Sequence, residues 1–167
     1  MRQEHESETS SAGTENGADL HDGREQRRHW LSVLAHALPR ELERAFQQLP
    51  DPPEYTFLRR PETGLVLVEA RTGGTGGLFY PGEATVTRCT IQLKDGTLGV
   101  GYVLGSDMRR AERVAVFDAL LQNERLRGRL MTAVVEPLER RQKERRRLKR
   151  ARAASTRVEF LTLRRGE

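Results

Sequence analysis

A disulfide within this chain is ruled out: its 167 residues include one cysteine, Cys89. A lone thiol cannot build a crosslinked framework and fits a reducing cytosol. Cys89 alternates with Ile91 and Leu93 and reads as a small buried apolar side chain of a strand. Aromatic residues are scarce, at 5%, and hydrophobic residues amount to 36%, so the expected core is lean. No run approaches the roughly 20 apolar residues of a membrane span, and no membrane partner is expected. No G-x-S-x-G elbow and no Cys/His pair occurs, and the catalytic residues stay unassigned. His5 and His21 lie near the start. His29 and His36 are seven positions apart on one helix, too far for the usual i, i+4 metal pair, so no metal site is expected.

Charge is present in quantity and unevenly placed. The net charge is +5, but residues 139–152 (ERRQKERRRLKRAR) hold nine Lys or Arg and two Glu, a net of +7 that leaves −2 for the rest. The protein is thus a nearly neutral domain with one very basic helical segment. Such a segment is a solvated helix face, a contact for a polyanion, or a dock for an acidic partner. Aromatics are missing from it, which argues against a stacking platform for single-stranded nucleic acid. Residues 1–23 are rich in Ser, Thr, Glu and Gly and read as a disordered arm. They lack the apolar stretch of a signal peptide.

From Arg24 onward, residues 24–167 read as a single domain. Trp30, Leu31, Leu34 and Ala35 recur at helical spacing over Arg24–His36. Given the lean core, Trp30 on this helix is a candidate anchor for a partner chain. Pro39 opens a second helix through Leu49. Tyr55–Arg59, Gly64–Arg71, Glu83–Leu93 and Leu98–Leu104 read as strands, the last two joined by an Asp95-Gly96 turn. Asp107 caps a helix through about Glu124. Another begins near Arg129, meets Pro137 as a kink or a new start, and continues through the basic stretch. Val158–Leu163 is a last strand. The order predicts an α+β fold: an antiparallel meander of four to five strands with helices packed on it, two N-terminal helices, a basic C-terminal helix and a final strand.

Four glycines in five positions, Gly73, Gly74, Gly76 and Gly77, separate two of the strands. Glycine permits positive φ and close approach of a ligand or another chain. Flanked by Arg71 and Arg88, this stretch is either a wide turn or a bare backbone that cradles phosphate or touches a partner. No Gly-Lys-Ser/Thr follows, so it is not a Walker loop, and a strand follows where a dinucleotide fingerprint needs a helix. Glu62 and Glu83 border the loop and are read as possible neighbours across the strands.

Several separated segments carry a resemblance in one order. RRHWLSVLAH (Arg27–His36), ETGLV (Glu62–Val66), ARTGGTGG (Ala70–Gly77), the F-x-x-GEATVTR run (Phe79–Arg88), DGTLGVGYVLGSD (Asp95–Asp107), AERVAVFDALLQ (Ala111–Gln122), Pro137 and STRVEFLTLRRG (Ser155–Gly166) resemble the PhnG subunits of carbon–phosphorus lyase systems. The resemblance spans about residues 25–167. Cys89, the N-terminal extension and the long basic segment depart from the family pattern. The resemblance implies a cytoplasmic subunit acting with PhnH-, PhnI- and PhnJ-like subunits, with PhnK- and PhnL-like proteins associated. The implied reaction displaces adenine from ATP by an alkylphosphonate and gives a ribose 1-phosphonate 5-triphosphate, a transferase reaction. ATP is then a substrate of the complex, this chain alone binds no cofactor, and the isolated chain is not expected to be catalytic. The alternatives are a purely structural assembly subunit and a stand-alone nucleic-acid-binding module using the basic helix.

Overall fold

The structure, a computed structural model, describes residues 15–155, with side chains from residue 23 onward. Its elements are α1 (Glu15–Ala35), α2 (Pro39–Gln47), β1 (Tyr55–Arg71), β2 (Leu78–Leu93), β3 (Leu98–Leu104), α3 (Met108–Gln122), α4 (Glu124–Leu130) and α5 (Glu136–Ser155). The α+β class and the antiparallel meander hold: the strands lie in the order β1-β2-β3. Residues 1–14 of the expected arm and the expected last strand, Val158–Leu163, lie outside the described residues. The first helix already begins at Glu15, upstream of the expected Arg24.

Two of the expected strands are one. Tyr55–Arg59 and Gly64–Arg71 are both part of β1, although Pro61 between them has no N–H for a ladder. β1 is an edge strand, however, and its pairing with β2 shifts register between Phe57 and Arg59 and again between Arg59 and Glu62. These bulges absorb the proline without ending the strand. β2 likewise reaches back to Leu78 through Pro81. The next hairpin is as expected: Gly96 takes φ 88° and the Thr97 N–H donates to the Asp95 carboxylate at 2.9 Å.

Helix α3 lies on one face of this sheet. Its start is set by Asp107, whose carboxylate accepts from the Arg110 N–H at 2.9 Å. Two glycines of β3 let it come close. A Cβ on Gly101 would lie 1.9 Å from the Ala111 carbonyl oxygen, and one on Gly99 2.0 Å from that of Ala115. The small side chains of Ala111, Ala115 and Ala119, four residues apart, are buried on this helix, and the Ala119 side chain meets the Gly99 position. Below α3 the sheet contributes Thr87, Cys89, Ile91 and Val103, all buried.

Asp118 on α3 is fully buried and accepts four hydrogen bonds. Two come from the Arg27 guanidinium (3.1 and 2.7 Å), one from Trp30 Nε1 (3.0 Å) and one from the Val100 N–H (2.9 Å). Trp30 is therefore no exposed anchor. It is 3% exposed and belongs to the chain's own core. An indole surrounded by apolar side chains needs a partner for its N–H, and Asp118 supplies it.

Pro137 falls just after a single π-helical turn, Met131–Val135, that joins α4 to α5. The wider turn accommodates a residue that cannot donate to the preceding turn. Leu138 and Gln142, one turn apart, seat α5, with Gln142 Nε2 donating to the Val33 carbonyl at 2.7 Å. Arg145 grips Glu41 of α2 with both guanidinium nitrogens, at 2.8 and 3.2 Å. Burial works to raise the Glu41 pKa, but the Arg145 bonds and the Leu38 N–H outweigh it and hold the carboxyl below its usual 4.5. A lowered carboxyl contributes stability above pH 4.5 that is lost as pH falls through the folded value. Acid titration of unfolding is expected to be less steep in Glu41→Gln than in the native chain.

Removing the Asp118 carboxylate leaves a buried indole N–H, a guanidinium and a strand N–H without their acceptor. Asp118→Ala is expected to cost about 3–5 kcal/mol, the usual result of breaking a buried charged network. Urea unfolding followed by tryptophan fluorescence measures it. A loss under about 1 kcal/mol would show that α1 and α3 are held by apolar packing alone.

Candidate functional site

The glycine stretch forms the tip of a two-stranded ribbon. β3 ends at Leu104, opposite Val86, so β1 from Leu65 and β2 up to Thr85 run on without a third strand. At the tip Gly73 and Gly74 take φ of 60° and 85°. A Cβ on Gly76 would lie 2.5 Å from the Thr72 carbonyl oxygen, while Gly77 faces open space. The turn closes on itself: the Gly76 N–H donates to Thr72 O at 2.8 Å and the Thr72 N–H to Gly77 O at 3.2 Å. Those two donors are spent within the turn.

Arg71 and Arg88, which flank the loop in sequence, do not converge on it. Arg71 stands opposite Leu78 at the tip and reaches the Gly76 carbonyl at 3.5 Å. Arg88 stands opposite Glu62, nine residues back along β1, a distance of roughly 30 Å. There it donates to Glu62 at 2.6 Å, beside Arg59 at 2.7 Å. The bonds from Arg59 and then Arg88 hold the Glu62 carboxyl below its usual range. Glu83 stands opposite Leu67, so Glu62 and Glu83 do not face each other either. The reading of one phosphate cradle flanked by both arginines is corrected on that ground.

The other reactive side chains are engaged or screened. Burial, and then the charge of Glu112, pushes the Cys89 thiol up to about 11. His36 Nδ1 lies 2.8 Å from the Ser32 carbonyl, and His29 sits 3.8 Å from Glu139. Among the described residues no group of three side chains is arranged to hold a metal. The Tyr55 hydroxyl donates to Glu112, tying β1 to α3, and burial followed by that bond pushes it up to about 12.

What the molecule does expose is apolar. β3 alternates strictly: Gly99, Gly101 and Val103 point at α3, while Leu98, Val100, Tyr102 and Leu104 point away, each between 38% and 63% exposed. A strand apolar on both sides normally has a layer on both sides. The layer is missing from this side among the described residues. Beyond the end of β3 the ribbon exposes Leu65 and Leu67 on the other side of the sheet, and Leu78, Phe79 and Tyr80 toward its tip. Apolar surface of this kind marks a protein interaction site. The sequence reading passed over it, although LGVGYVL carries the signal: large apolar residues at one parity and glycines, not polar residues, at the other.

Sequence comparison fits this interaction surface. A family model described as phosphonate metabolism protein PhnG matches residues 25–166. The chain belongs to the PhnG family. It is also 43% identical over 142 residues to a protein of Rhizobium meliloti (strain 1021) named alpha-D-ribose 1-methylphosphonate 5-triphosphate synthase subunit PhnG, covering 85% of this chain and 90% of that one. The matched span of the PhnG model contains the uncovered sheet face, the whole ribbon and α5.

The ribbon tip is remote from the core, so its strain is local. In Gly76→Val the added atoms meet the Thr72 carbonyl. Urea unfolding is expected to move by less than about 0.5 kcal/mol, the range of surface substitutions, while amide exchange at 71–78 accelerates. A loss of global stability well above that range would show that the tip packs on the domain.

Proposed function

We propose that this chain is the PhnG subunit of a synthase that makes a ribose 1-phosphonate 5-triphosphate from ATP and an alkylphosphonate in phosphonate catabolism. In that reaction the bond from the ribose C1′ to adenine breaks and a phosphonate oxygen takes its place. Adenine leaves with the bonding electron pair and is protonated. The observation that carries the reading is the 43% identity to a synthase subunit across 90% of its length. The enzyme is the assembly, a transferase in the cytoplasm with PhnH-, PhnI- and PhnJ-like subunits in its core and PhnK- and PhnL-like proteins associated.

Within it, this chain's contribution is a surface. Leu98, Val100, Tyr102 and Leu104 together with the ribbon offer another subunit a flat apolar face and an extended arm. The long β1 edge adds free backbone groups for strand pairing. The rival reading, a nucleic-acid module using α5, has less in its favour. Lys143, Arg145 and Arg147 of that helix are paired with Glu139, Glu41 and Glu144.

Tyr102→Ser combined with Leu104→Ser tests the surface, because both side chains stand outside the core. The variant is expected to unfold at the native urea concentration but to co-purify with the other subunits at least tenfold less, and adenine release from ATP and methylphosphonate should fall in step. Normal assembly of the variant would remove the sheet face as the interface. Assembly of the native chain without any adenine release would sink the proposed reaction.

A further inference from the structure

We propose that the cleft between α2 and α3 is a binding site for a linear polyphosphate, either free or as the tail of a nucleotide. The cleft has a volume of about 440 Å³ and is lined by Arg40 and Arg44 of α2 and by Arg109, Arg110 and Arg113 of α3. That size lies within the roughly 300–1,000 Å³ of small-molecule sites. Two carboxylates share the wall, Glu43 and Asp107, and both are committed. Glu43 accepts from Arg113 Nε at 3.1 Å, and Asp107 accepts the Arg110 N–H as the cap of α3.

Among the described residues Arg113 is the one lining arginine with ion pairs of its own, to Glu43 and Glu112, and it also lies over the Phe46 ring at 3.7 Å. Arg40 and Arg44 have no ion-pair partner among the described residues, and Arg109 reaches Glu43 through its charge alone. Arg110 donates to the Leu104 carbonyl, but its Nε is buried with no hydrogen-bond partner among the described residues. A buried donor without an acceptor is costly and marks a place that an acceptor would fill. Arg40, Arg44, Arg109 and Arg110 thus outnumber the two committed carboxylates of the wall, and an entering anion relieves their mutual repulsion.

Spacing selects the anion. Arg40 and Arg44 are four residues apart on one helix, as are Arg109 and Arg113 on the other, and α2 packs against α3. Residues at that interval stand about 5–6 Å apart on one helix face. An elongated anion touches both members of a pair, whereas a single carboxylate touches one. Guanidinium forks also match phosphate oxygens in geometry. Asp107 already takes the Arg110 and Ala111 N–H groups at the start of α3, and the arginine side chains hold the ligand. This site is separate from the sheet face and the ribbon, and binding at it is measured on the full chain without other subunits.

Calorimetric titration with inorganic tripolyphosphate, ATP and sulfate at about physiological ionic strength tests the site. Saturable one-to-one binding of tripolyphosphate is expected, well above sulfate. Arg44→Ala with Arg109→Ala, both exposed, should weaken it about tenfold or more, since each lost charged bond is commonly worth a factor near ten. Arg147→Ala with Arg150→Ala on α5 removes the same charge elsewhere and should leave it unchanged. ATP binding equal to tripolyphosphate assigns the nucleotide as source; tripolyphosphate binding alone assigns free polyphosphate. No saturable binding, or equal weakening in both double variants, overturns the proposal. So does an Arg44→Ala/Arg109→Ala chain that keeps its tripolyphosphate affinity but no longer assembles, which would make the cleft a socket for a partner's acidic side chains.

Discussion

Everything in this fold is referred to the carboxylate of Asp118. It is a charge at the centre of the packed layer, and a charge there persists only with partners on every side. Arg27 and Trp30 come from α1 and the Val100 N–H comes from β3. The first helix, the central helix and the edge strand are thereby fixed to one another by directional bonds. The remaining helices follow from that placement. Gln142 of α5 donates to a carbonyl of α1, and Arg145 of α5 holds α2. The Val100 contact also satisfies an N–H on the outer edge of β3, which a sheet edge otherwise leaves to water or to another chain.

That arrangement crowds the helical core contacts onto one side of the sheet. Gly99 and Gly101 let α3 settle almost onto the strand backbone, so β3 has no room for side chains on that side before Val103. The large residues of the strand therefore stand on the opposite side. Close packing of α3 and exposure of Leu98, Val100, Tyr102 and Leu104 are two results of the same alternation. A chain that must be soluble alone would place polar residues at those positions. The pattern makes sense where a second protein layer completes the sandwich, and it agrees with kinship to a synthase subunit.

Features set by neighbours in sequence were legible: the Asp107 cap, the Asp95-Gly96 turn, Pro39 at a helix start and the alternation around Cys89. Features set by distant partners were not. Trp30 looked like a docking anchor because its acceptor, Asp118, lies 88 residues away. Tyr55–Arg59 and Gly64–Arg71 read as two strands because edge position and bulges are properties of the assembled sheet. Arg71 and Arg88 looked like neighbours because both flank a glycine run. Register separates them: one sits at the tip of a long ribbon and the other at its stem, where Glu62 neutralises it.

The same distinction governs charge. The densest run of arginine and lysine in the sequence is 139–152, yet consecutive residues on a helix point about 100° apart. Lys143, Arg146, Arg147 and Arg150 share one face of α5, while Arg145 turns inward to grip Glu41. Past Gln142 the described part of the helix buries no residue, and apart from Arg145 its cations face water and are screened there. Five arginines spread over Arg40–Arg113 make no visible cluster in the sequence. Spacing of four pairs Arg40 with Arg44 and Arg109 with Arg113, Arg110 stands beside the second pair, and folding brings all five to one cleft. Convergence in space, not density along the chain, decides where a polyanion meets several guanidinium groups at once. The cleft of α2 and α3 draws guanidinium groups from two elements, whereas the cations of α5 come from one helix alone.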